Sequence, residues 1–75
     1  MNENPGKGKS IIVTVTDEAL GNIHQLADKL TKKGMNIKRV LPITGIISGF
    51  YSSSLSNIRK IKGVKNAEDE ASAQF

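Results

Sequence analysis

A chain of 75 residues and 8.1 kDa holds one domain at most and is far too short for a (β/α)₈ barrel, which takes about 250 residues. Hydrophobic residues at 37% and charged residues at 24% exclude wholesale disorder, and the absence of cysteine excludes a disulfide framework, a thiolate metal site and a cysteine nucleophile. The net charge of +4 permits an acidic partner without demanding nucleic acid.

Residues 1–9 read MNENPGKGK, with no side chain that needs a core, and are expected to form a flexible tail before a single domain over 10–75. Gly8-Lys9-Ser10 resembles the end of a phosphate-binding loop. The pattern needs a glycine where Glu3 stands and a strand before it, so no nucleotide site is expected. No apolar stretch follows the early lysines and no run approaches a membrane span, so a cytoplasmic, membrane-free protein is expected.

From Ser10 to Thr16, Ile11, Val13 and Val15 alternate with Ile12, Thr14 and Thr16, the pattern of a strand. Thr16 or Asp17 can cap a following helix, whose apolar positions are Leu20, Ile23, Leu26, Ala27 and Leu30. Lys29, Lys32 and Lys33 suit its last turn, and Gly34 ends it. Met35 to Leu41 reads as a half-exposed second strand, and Pro42 and Gly45 bracket a turn. Ile46 to Tyr51 is a third strand in which Gly49 marks a bulge or thin spot. That glycine leaves open which of Ile46 and Ile47 enters the core. After the possible caps Ser52, Ser53 and Ser54, Leu55, Ile58 and Ile61 define a short helix ending at Gly63, and a fourth strand starts at Val64.

The order β-α-β-β-α-β predicts an α+β, ferredoxin-like sandwich: a four-stranded antiparallel sheet with strands one and three in its centre and two helices on one face. The other face is left bare.

Few residues carry chemistry. His24 lies one turn before Asp28 on the first helix, but no serine nucleophile is near it in sequence, and one histidine with scattered carboxylates makes no metal site. The lysines stand at helix ends or beside other charges, away from any apolar run that would activate one as an amine nucleophile. No enzyme activity, cofactor or metal is therefore expected. Gly49-Phe50-Tyr51 echoes the aromatic strand of RNA-binding domains of this topology, but the first strand has no aromatic. Arg59, Lys60, Lys62 and Lys65 read as the solvated side of the second helix and its exit. An RNA- or small-ligand-binding module using the open sheet face is the alternative reading. Glu68-Asp69-Glu70 places Glu68 and Glu70 on one side of the last strand and Asp69 on the other. Such carboxylates either blunt an edge strand or meet a positive feature of a partner, such as helix N-termini.

The opening strand Ile11-Ile12-Val13-Thr14-Val15, the helix ending at Gly34, the glycine-bearing hairpin and the ending Ile61-Lys62-Gly63-Val64-Lys65-Asn66-Ala67-Glu68-Asp69-Glu70 through Phe75 together resemble a known family. It is that of the propeptides of subtilisin-type serine proteases and their free-standing inhibitor relatives. The resemblance covers residues 10 to 75. It implies that the bare sheet face packs on two surface helices of the protease and that Glu68 and Glu70 cap those helices. It further implies that Ser72, Ala73, Gln74 and Phe75 lie in the substrate cleft as an added strand, with Phe75 in the primary specificity pocket. On this reading the chain is an inhibitor or folding modulator of a subtilisin-type protease; its oligomeric state is open with a monomer favoured, and a structural or regulatory domain that pairs with itself through its sheet is the third reading.

Overall fold

The computed structural model describes residues 8–70. The expected tail up to residue 7 and the cleft residues Ser72, Ala73, Gln74 and Phe75 lie outside the described residues.

The β-branched run forms strand β1 (Lys9–Val15), starting one residue earlier than the sequence pattern suggests. Its odd-numbered side chains Ile11, Val13 and Val15 are buried in the core. The expected first helix is divided in two. Asp17–Asn22 is a 3₁₀ helix capped by Thr16, whose hydroxyl accepts from the Ala19 amide at 3.2 Å. Only from Ile23 does helix α1 (Ile23–Lys32) take α-helical form. Gly21 and Asn22, both poor helix formers, stand at the junction. The apolar stripe of α1 is as expected, with Ile23, Leu26, Ala27 and Leu30 all buried.

α1 closes in a Schellman arrangement. Gly34, at φ 105°, donates its amide to the Thr31 carbonyl, and Met35 donates to the Leu30 carbonyl, both at 3.0 Å. Met35 and Leu30 are both in the core cluster, the apolar contact that accompanies such a cap. The chain then enters β2 (Asn36–Leu41), turns through Pro42 to Gly45 and returns as β3 (Ile46–Tyr51). Helix α2 (Leu55–Arg59), capped by Ser54, is shorter than the spacing of Leu55, Ile58 and Ile61 suggests. Ile61 sits one turn beyond it, still packed against the core, and β4 (Val64–Asp69) follows.

The strands form one antiparallel sheet in the order β2-β3-β1-β4, with β1 and β3 in the centre as expected. Both helices pack on the face carrying Ile11, Val13, Val15 and Ile47. This is the ferredoxin-like α+β sandwich.

The parity of β3 is settled by its register. Ile47, fully buried, pairs with Val13 on the helix side, and half-buried Ile46 points to the opposite face. The irregularity expected at Gly49 lies across from it, in β2, where the pairing slips between Ile37 and Arg39 and leaves Lys38 as the extra residue. Gly49 is the thin spot that permits this: a Cβ there would overlap the Asn36 carbonyl oxygen.

Candidate protein-docking face

The face away from the helices is organised in three rows across the sheet, set by the strand register and the alternation of side chains. One end row runs Asn36, Phe50, Ser10, Glu70; the last joins because its amide donates to the Ser10 carbonyl at 2.9 Å. The middle row runs Arg39, Ser48, Ile12, Glu68, and the other end row runs Leu41, Ile46, Thr14, Asn66. The middle of the sheet is thus part apolar, with cations on the β2 side and carboxylates on the β4 side. Ile12 and Ser48, at 9% and 6% relative exposure, are nearly covered by their neighbours although no helix lies over them.

Glu68 and Glu70 share this face as the sequence implies, while Asp69, paired with Ile11, lies on the helix side. Asn66 donates from Nδ2 to Glu68 Oε2 at 2.7 Å, which orients that carboxylate along β4. Glu70 meets Lys38 Nζ at 3.5 Å. To reach it, Lys38 passes over Phe50, its Nζ 5.3 Å from the ring centroid, so one lysine ties the β2 edge to the end of β4. Both charges are well exposed, and the pair contributes about 0–1 kcal/mol.

The aromatic pair considered for base stacking is divided between the two faces. Phe50 is on the open face beneath Lys38, but Tyr51 is buried in the core. The basic cluster is also not uniformly solvated. The Arg59 guanidinium donates to the Ala67 carbonyl from Nε at 3.1 Å and from Nη2 at 2.7 Å. Glu70 bonds inward to Ser10, and antiparallel strands alternate, so Ala67 turns its backbone groups outward on the β4 edge. Arg59 therefore occupies part of that free edge, a role no sequence motif announces.

Apolar exposure concentrates at the β2–β3 turn, where Ile43 is 98% exposed and Leu41, at the end of the open face, 38%. His24 and Asp28 lie on the exposed side of α1. Among the described residues no group of three or more His, Cys, Asp or Glu could hold a metal, and no helix is long and apolar enough to cross a membrane. Gly8-Lys9-Ser10 runs directly into β1 and so lacks the strand-to-helix setting of a phosphate loop. Comparison of the chain with protein-family models, curated proteins and solved structures gives no significant match.

Proposed function

We propose that this chain is a protein-binding inhibitor or folding modulator of a subtilisin-type serine protease. The open sheet face docks on the protease, and the C-terminal residues occupy its substrate cleft. The observation that carries the reading is the placement of Glu68 and Glu70 on a sheet face that no described element covers, with half-buried Ile46 on the same face. The two carboxylates suit a pair of helix N-termini, which carry partial positive charge and would take over from Asn66 at Glu68 and from Lys38 at Glu70. Burial of the Phe75 ring in a specificity pocket adds about 1.5–3 kcal/mol. Each main-chain bond made by Ser72 to Gln74 in the cleft adds about 0.5–1.5 kcal/mol. On this reading the chain performs no chemistry of its own: it holds a product-like strand in place from a folded platform.

The experiment is a titration of the purified chain against subtilisin, following residual hydrolysis of a chromogenic peptide. The expected result is stoichiometric or near-stoichiometric inhibition, lost on deletion of Ala73 to Phe75 and weakened by Glu68→Ala with Glu70→Ala. Equal inhibition with and without the tail, or none with either, removes the reading. The module reading for RNA or a small ligand ranks second. Its one favourable observation is Phe50 on the open face, and that ring already carries Lys38 over it.

A further inference from the structure

The rows of the open face are self-complementary, and we infer that this face also pairs with the same face of a second copy of the chain. Consider a two-fold axis lying in the contact, parallel to the strands and midway between β3 and β1. Rotation about it lays β2 over β4 of the second copy and β3 over β1, while each row stays at its own height along the strands.

In the middle row, Arg39 then faces Glu68 of the second copy, and Ile12 faces its Ser48. In the end rows, Phe50 faces Ser10 and Ile46 faces Thr14. Sizes match at Phe50 with Ser10, Ile46 with Thr14 and Ile12 with Ser48, while Leu41 faces Asn66 and Asn36 faces Glu70, and the charge match is Arg39 with Glu68. By symmetry every contact occurs twice, as an isologous interface requires. The other two-fold axis in the contact plane, perpendicular to the strands, would set Arg39 over Arg39 and Glu68 over Glu68, so charge selects the first arrangement. Sheets packed face to face keep their strands within about 30° of one another, so the match is best in the middle row. Lys38 and Glu70 are already joined within each copy, which leaves Arg39 and Glu68 as the discriminating pair.

The dimer is weak. Four strands about 4.8 Å apart and six residues rising about 3.3 Å each give a face of about 19 by 20 Å in plan. That is below the roughly 800 Å² per partner of a standard interface and belongs with transient contacts. Association is therefore a property of concentrated solutions, beyond the monomer that the sequence suggests. The inference does not depend on the protease reading.

Sedimentation equilibrium of the full chain tests it, with circular dichroism confirming that each variant is folded. The wild type should shift from monomer toward dimer below about 1 mM. Arg39→Glu alone and Glu68→Arg alone should each weaken association at least tenfold, because each sets like charges opposite one another twice. An equimolar mixture of the two variants should recover it, since the acidic row of one then faces the basic row of the other; so should the double variant in one chain. A wild type that stays monomeric at about 1 mM overturns the inference and leaves the face to a heterologous partner. Single variants that associate like the wild type, or a mixture no better than its components, overturn it as well.

Discussion

The adjacent isoleucines of β3 offer a sharp test of the fold, because a slip of one residue in that strand would exchange their environments. Ile47 is fully buried against Val13 and the helices, whereas Ile46 is half-buried on the open face. Ile47→Val removes one methylene from a close-packed interior and should cost about 0.5–1.5 kcal/mol, and Ile47→Ala about 2–5 kcal/mol. Ile46→Val removes a methylene that is still partly wetted, about half of the 0.8 kcal/mol for full burial. The total available is small: at about 0.05–0.15 kcal/mol per residue, a chain of 75 residues holds about 4–11 kcal/mol. Ile47→Ala therefore approaches global unfolding, and the valine pair is the informative one. In urea, with a slope of about 1 kcal/mol/M for a domain this small, Ile47→Val should lower the midpoint by about 0.5–1.5 M and Ile46→Val by under 0.5 M. Equal shifts, or a larger shift for Ile46, would refute the assigned register and with it every row of the open face.

Two glycines should fail for opposite reasons under the same denaturation assay. Gly34→Ala meets open space, with nothing nearer than the Tyr51 ring at 3.8 Å, so its cost of about 1–2 kcal/mol is that of the left-handed backbone. Gly49→Ala has an ordinary φ but drives its methyl into the Asn36 carbonyl, and it should cost at least as much while loosening β2, visible as faster amide exchange at Ile37 and Val40. Arg59→Ala uncovers the Ala67 carbonyl on the β4 edge; the loss should be about 0.5–1.5 kcal/mol at this part-buried site, accompanied by faster aggregation on storage. Ile43→Ser should leave the unfolding free energy within about 0.5 kcal/mol of the wild type, because the side chain is 98% exposed.

The elements legible in the sequence are those whose pattern is local. Alternating β-branched residues mark β1, and the stripe from Ile23 to Leu30 marks α1. A glycine at positive φ closes α1 at Gly34, whereas Gly63, also at positive φ, lies in the turn before β4 and α2 has already ended at Arg59. The acidic run is legible too, since alternation alone sends Glu68 and Glu70 one way and Asp69 the other. What escapes is non-local. The 3₁₀ entry to α1 interrupts a stripe that Leu20 shares with the α-helical part, so apolar periodicity alone passes over the junction. The parity of Ile46 and Ile47 depends on where a bulge falls, and the bulge sits in β2 rather than at the glycine that makes room for it. Tyr51 looks equivalent to Phe50 in sequence but enters the core, while half-buried Phe50 lies on the opposite face. Arg59 looks like one more surface cation until β4 returns beside α2 and presents the Ala67 carbonyl.

The open face brings the two proposals into competition, because Glu68 cannot serve a protease helix and the second copy's Arg39 at once. Docking on a protease and self-pairing both use half-buried Ile46 on a central strand and the β4 carboxylates at the margin. The self-pairing contact is limited to about 380 Å² of sheet in plan. A protease complex adds the cleft strand to the same face, and with it main-chain bonds and one buried aromatic ring. On these two proposals the heterologous complex would be the stronger, and the dimer would persist only at concentrations well above those of the target. Arg39 separates the two. It stands on the β2 side, remote from the carboxylates across about 14 Å of sheet, and a helix N-terminus has no use for a cation. Among the described residues Arg39 makes no ion pair within its own copy, so its charge is engaged by the self-pairing proposal and not by the helix-capping one.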